Sequence, residues 1–460
     1  MSTNIVPPVL TGISPKTKIS PAFELFLSQA GPQEKRDAIV IYRPPPSLPP
    51  VRGRLRKLKA KLDLLKAAQQ PVQAKLMADY VRDGSKHLPG KLKIGAAPIG
   101  QSTLPVMMAE VTRDTLPELA SKPNVVAVLP NLRIRLLQPK EIDHAALDKR
   151  ELTNKVTWGL QHLEVQKVWE TTKGGDINVA VLDTGVHGDH PSLAGRVKRF
   201  VVVDPLGRRI TTNATFDSDR HGTHVCGTIA GGQTADGVSI GVAPEANLLV
   251  AGVLVGNATL RTLVEGISWA VENGADVISM SLGFPYYEPL FAELFKMLSE
   301  QFGIINVAAI GNENYGNSSS PGNAATVLSV GATELVRPGN KADVAFFSSG
   351  ASLVFPEAQL PVVTKPDVVA PGVHVYSSIP PEERPDGTYE YAYMDGTSMA
   401  TPHVAGVAAL LMAAKPNAPV DDIVEVIKDT AKHPSGGAMR PDNRWGFGTV
   451  QPVDALKALK

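Results

Sequence analysis

The stretch Val179-Ala180-Val181-Leu182-Asp183-Thr184-Gly185 is a hydrophobic strand that delivers a carboxylate at its end and stops at a turn glycine. Working outward, short β-branched runs recur at Leu248–Val255, Val277–Ser281, Ile304–Ala309 and Val327–Val330. Helical periods separate or follow them at His221–Ala230, Leu260–Asn273, Pro289–Phe302, Ser398–Lys415 and Asp421–Asp429. Strands alternating with helices predict an α/β fold, a mostly parallel, doubly wound sheet. In such a sheet the working groups collect at the carboxyl ends of the strands, where Asp183 stands.

The whole chain has 460 residues, more than a typical single domain. A hydrophobic content of 43% can bury a sizeable core and excludes wholesale disorder. One cysteine excludes a disulfide framework and a cysteine-rich metal site. No apolar run reaches the length of a membrane span, so no transmembrane helix is expected. The N-terminus lacks a basic segment followed by an apolar one, which points to a cytoplasmic location.

Net charge is only +1, but it is unevenly spread. Residues 1–150 carry 24 Lys/Arg against 12 Asp/Glu, or +12, and the remainder carries 22 against 33, or −11. Residues 1–36 read as a mobile leader. Residues 37–138 alternate strand and helix as a small two-layer α+β domain, and residues 139–157 read as a linker. Within that domain Val51–Gln70 has leucines at helical spacing among many Lys/Arg. We read the stripe as an ordinary core face and the cations as solvated, so neither a nucleic acid nor a membrane is an expected partner.

Two more segments carry chemistry. His221-Gly222-Thr223-His224-Val225-Cys226-Gly227 opens a helix with two histidines. Gly396-Thr397-Ser398-Met399-Ala400-Thr401-Pro402-His403 places a serine at a glycine-led turn into a long helix. Amide hydrolysis needs a nucleophile, a base and a group that orients the base, and Ser, His and Asp supply all three. A metal pair at His221 and His224 lacks acidic or cysteine partners at ligand spacing. Cys226 reads as a small buried residue.

Taken together, in the order Asp, His, Ser, these segments make residues 158–460 resemble the subtilisin-like serine proteases. The resemblance implies a three-layer α/β/α peptidase domain. It also implies Asp183 as the orienting carboxylate, His221 as general base, Ser398 as nucleophile and Asn312 as an oxyanion-hole donor, with His224 structural. Ser281, Leu282 and Gly283 would pair with an extended substrate, and Ala308 and Ala309 would wall a pocket for an apolar P1 side chain. The family's acidic calcium ligand is replaced by Ser192, and Gly231–Gly241 offers only Asp236, so no metal or other cofactor is expected. The 37–138 segment resembles, more faintly, the ferredoxin-like propeptide of the same family. That implies an intramolecular inhibitor, which the opposed charges of the two parts fit. The expected activity is endopeptidase; the alternatives are a peptide ligase or cyclase on the same fold and a catalytically silent peptide-binding protein.

Overall fold

The computed structural model describes residues 18–43, 62–67, 69–72, 74, 96–100, 103–288, 291–336, 341–353, 362–385 and 387–459. The described residues group into two compact units, one drawn from Met1–Pro45, Ala67–Pro98 and Pro105–Asn131, the other from Pro46–Lys66, Ile99–Leu104 and Leu132–Lys460.

The first unit holds β1 (Arg36–Tyr42), β2 (Ala96–Pro98), β3 (Val106–Val111) and β4 (Val125–Pro130). All neighbours are antiparallel, in the order β2-β3-β1-β4, which is the ferredoxin-like order. The sequence reading lacked β2, whose three residues carry no β-branched side chain. Its core joins Val40, Tyr42, Met107, Leu116 and Val128 to Ile19, Phe23 and Phe26. The leader assignment is therefore corrected over residues 18–36. The apolar patch at Phe23–Leu27 is anchored by a turn that Ser20 caps, its hydroxyl accepting from Ala22 N–H at 3.1 Å. Of the helix read over Val51–Gln70, residues 62–67, 69 and 70 are helical, and Leu62 and Leu65, which group with the second unit, are buried. Residues 51–61 lie outside the described residues.

The second unit adds β5 (Arg135–Leu136), β6 (Glu141–Asp143), β7 (Asn178–Asp183), β8 (Val197–Val203), β9 (Arg209–Ile210), β10 (Asn247–Gly252), β11 (Val277–Met280), β12 (Leu282–Gly283), β13 (Ile305–Ala309), β14 (Leu328–Val336), β15 (Lys341–Val344), β16 (Ala351–Leu353), β17 (Val363–Lys365), β18 (Val368–Pro371), β19 (Val375–Arg384) and β20 (Gly387–Asp395). Nine of these form one sheet in the order β15-β14-β13-β11-β7-β10-β8-β9, with β18 beside β14. The inner pairs are parallel and only the outermost, β14–β15 and β8–β9, are antiparallel. Val179 to Leu182 are completely buried, as a central strand covered on both faces requires. The helices His221–Ala230 and Thr397–Ala414 pack together on the sheet, and Leu260–Glu272 and Phe291–Phe302 complete the three-layer α/β/α arrangement.

Thr397–Ala414 is long and apolar enough to cross a membrane by composition alone, contrary to the sequence reading, but it is mostly buried inside the protein. The linker assignment for residues 139–157 is also corrected. Glu141–Asp143 is strand β6, paired with β20, and Lys149–Asn154 is a helix that Asp148 caps. Pro380–Tyr391 has no periodic signal and reads from sequence as surface loop; in the structure it forms the outer part of the β19–β20 hairpin.

Candidate active site

Asp183 ends β7 and turns into Gly185, whose φ of +126° suits glycine. A Cβ there would lie 2.2 Å from the Phe216 carbonyl oxygen, so a side chain has no room. This close approach lets the His221–Ala230 helix begin beside β7. His221 Nδ1–H then donates to Asp183 Oδ1 at 2.8 Å, with both side chains fully buried. Burial alone would lower the imidazole pKa, but the Asp183 charge and hydrogen bond outweigh it and raise it above the ordinary 6.5. His221 Nε2 has no hydrogen-bond partner among the described residues.

His224, one turn on, has different partners. Its Nε2–H donates to the carbonyls of Val375 and Ala392 at 3.0 and 3.2 Å, tying the helix to the β19–β20 hairpin. Burial, with the neighbouring His221 charge, pushes its pKa down to about 3. Cys226 is completely buried, and burial drives its thiol pKa well up.

Ser398 is the second residue of the Thr397–Ala414 helix, where its N–H has no intrahelical acceptor. Pro402 lies four residues later and cannot donate back to the Ser398 carbonyl. That carbonyl instead accepts from the Ser281 hydroxyl at 3.1 Å. A proline four residues after the serine is a readable signal of this exchange that sequence reasoning missed. Thr397 was missed as well. Its N–H and hydroxyl both donate to Asn312 Oδ1, at 2.9 and 2.8 Å. The backbone donor fixes which end of the amide is oxygen, so Asn312 Nδ2 faces the cleft.

The cleft holds the chain's own residues Leu132–Asp143. Leu132 O accepts from Leu260 N–H and Ile134 N–H donates to Ala258 O, while Arg135–Leu136 pairs antiparallel with Leu282–Gly283. Gly283 is required for this edge: a Cβ there would meet Ser320 O at 2.2 Å. Leu137 N–H reaches Ser281 O at 3.4 Å, and Lys140 N–H donates to Asp395 O at 2.7 Å. Between these anchors the Ser398 hydroxyl donates to Leu137 O at 3.0 Å, whereas Asn312 Nδ2 donates to Gln138 O at 3.0 Å. The serine and the amide therefore hold successive carbonyls rather than one. Ala308 and Ala309 end β13, fully buried, and Gly322 backs so closely on Ala309 that a Cβ would lie 2.1 Å from its oxygen.

The sequence profile of the subtilase family, Peptidase S8, matches residues 174–448. The chain belongs to the subtilase family. This subtilase is 36% identical over 281 residues to an intracellular serine protease of Paenibacillus polymyxa, covering 59% of this chain and 77% of that one. It is 35% identical over 306 residues to subtilisin Savinase of Lederbergia lenta, covering 66% and 99%. Its fold matches the crystal structure of fervidolysin from Fervidobacterium pennivorans, described as a keratinolytic enzyme related to subtilisin. The TM-score is 0.65 at 25% identity over 94% of this chain, and the match spans 62% of fervidolysin. The subtilase is a serine-type hydrolase with the subtilisin-like fold.

Proposed function

We propose that the chain hydrolyses internal peptide bonds through Asp183, His221 and Ser398, and that its own Leu132–Asp143 segment restrains it. Ser398 Oγ attacks the carbonyl carbon while His221 Nε2 takes its proton, and the Asp183 carboxylate stabilises the imidazolium that forms. Asn312 Nδ2–H and the Ser398 N–H stabilise the oxyanion. His221 then protonates the leaving amine, and water attacks the acyl-serine by the reverse sequence. The observation that carries this reading is twofold: Asp183 and His221 are paired at 2.8 Å, and Ser398 and Asn312 hold adjacent carbonyls of one polypeptide segment. Leu137 at the serine supports a preference for an apolar P1 residue.

The same geometry supports restraint. Reaction needs the attacked carbonyl to lie with the nucleophile and the oxyanion donor together, and the segment gives them one carbonyl each. Pro139 follows directly, so the next bond is an X–Pro bond without an N–H. The ferredoxin-like unit that precedes the segment is, on this reading, the body of a propeptide-type inhibitor.

We also propose that no calcium is needed. Ser192 Oγ donates to Gln233 O at 3.0 Å and meets Tyr391 OH at 2.8 Å, while Lys155 Nζ donates to Asp236 O at 2.9 Å. Protein donors thus engage two carbonyls of the Gly231–Gly241 loop, which a cation would otherwise use.

Treating the purified chain with a serine-directed phosphonate tests the reading. A covalent adduct on Ser398, lost in Ser398→Ala while that variant stays folded, is the expected result. Undiminished labelling in Ser398→Ala removes Ser398 as nucleophile.

A further inference from the structure

Past the carbonyls held by Ser398 and Asn312, the cleft segment stays ordered along a second edge. After Lys140 binds Asp395 O, Glu141, Ile142 and Asp143 pair antiparallel with Asp395, Met394 and Tyr393 of β20. The other edge of β20 carries β19, so among the described residues this edge is paired by residues 141–143. The next residue, His144, enters a slot on the hairpin. Its Nε2 lies 3.1 Å from Glu382 Oε2, and its ring meets Tyr389 edge-on at 5.4 Å. Its side chain is only 8% exposed. Glu382 also receives Arg220 at 2.7 Å and Arg384 at 2.9 Å, which keep it an acceptor-only carboxylate.

Resting on the endopeptidase reading above, we propose that the outer edge of β20 and the Glu382–Tyr389 slot form a substrate site on the leaving-group side of the scissile bond. A polypeptide adds there as a third antiparallel strand, in place of Lys140–Asp143. It seats a planar N–H-donating side chain, imidazole above all, where His144 now lies. Two physical points carry this. An edge vacated by its strand exposes main-chain donors and acceptors that an extended chain of almost any sequence satisfies. The slot in turn offers a carboxylate that only a hydrogen-bond donor can meet without loss. The substrate class is thus long, extended polypeptide rather than short peptide, with selection for histidine at one downstream position.

The test uses the full chain and three peptides identical up to the scissile bond. One ends just past that bond. The other two continue beyond the His144 position, with His or Leu placed there. We expect kcat/KM to be roughly tenfold or more higher for the long peptides, as one or two net hydrogen bonds supply. The long His peptide should exceed the long Leu peptide, and Glu382→Gln should bring that His-to-Leu ratio close to one. Methylating alternate amides of the downstream stretch should remove the length advantage, and methylating the intervening ones should not, because alternate residues face the partner strand. Equal kcat/KM for short and long peptides overturns the proposal. So does phosphonate labelling of Ser398 without hydrolysis of either long peptide, since a docking chain has to displace residues 140–144. Absence of both labelling and hydrolysis strikes the endopeptidase reading itself.

Discussion

At Asn312 the two ends of one amide have separate tasks. Oδ1 is pinned by two donors from Thr397, which leaves Nδ2 aimed into the cleft without rotational freedom. Asn312→Ala should therefore lower kcat by about 10²–10³ with a small change in KM, as loss of one preorganised oxyanion donor does. Steady-state hydrolysis of an apolar-P1 peptide measures it; an equal loss carried wholly by KM would mean that Asn312 binds substrate rather than the transition state. On the proposed mechanism His221 must be neutral to accept the serine proton, and Asp183 raises its pKa. The rate of phosphonate labelling should accordingly climb with pH through a midpoint above the ordinary 6.5. A midpoint below that value contradicts the assignment of His221 as base. The Asp, His and Ser motifs were legible because each keeps its chemical type and its neighbours in the chain. The Thr397 contacts were not, because a threonine beside a serine carries no mark of a partner 85 residues away.

Among the elements, β6 departs furthest from the sequence reading. Glu141–Asp143 is charged and lacks periodicity, so nothing local marks it as a strand; β20 supplies the reason by offering an open edge. If this pairing holds the restraining segment in place, Ile142→Pro, which removes a strand N–H and crowds β20, should speed phosphonate labelling roughly tenfold, about the value of one or two net hydrogen bonds. An unchanged labelling rate would mean that β6 does not limit access to Ser398. The Gly231–Gly241 loop leads to a second expectation at this scale. With Ser192 and Lys155 already bonded to its carbonyls, melting temperatures in EDTA and in millimolar calcium should nearly coincide. A rise of roughly ten degrees or more with calcium, worth a few kcal/mol, overturns that.

Over the whole molecule, several histidines are kept neutral by burial. His224 is pushed down to about 3 and His403 to about 4, and His162 and His190 are lowered as well. Each would take a proton near pH 6.5 once unfolded, so the unfolded state binds more protons as pH falls below that value, and stability falls with it. His221 works in the opposite sense: its raised pKa stabilises the fold below pH 6.5 and loses that effect as pH rises through its folded value. Buried carboxyls raised by desolvation, Asp276 to about 6 among them, work in the same sense as His221. The histidine effect is therefore read as a difference: His224→Gln should make the melting temperature at pH 5, relative to that at pH 7, higher than in the unaltered chain. An unchanged difference refutes this. By itself the sequence determined the alternation of apolar runs with helical periods, hence the doubly wound sheet, and it singled out Asp183, His221, Ser398 and Asn312 as candidates. Those features depend on side-chain type and on spacing within a few residues. Only the tertiary structure decided that Phe23 belongs to a core, that Ser281 replaces the bond Pro402 cannot make, and that Ser398 and Asn312 hold neighbouring carbonyls. Each of these is a matter of alignment between segments far apart in the chain, and a shift of one residue changes the chemistry without leaving any trace in local composition.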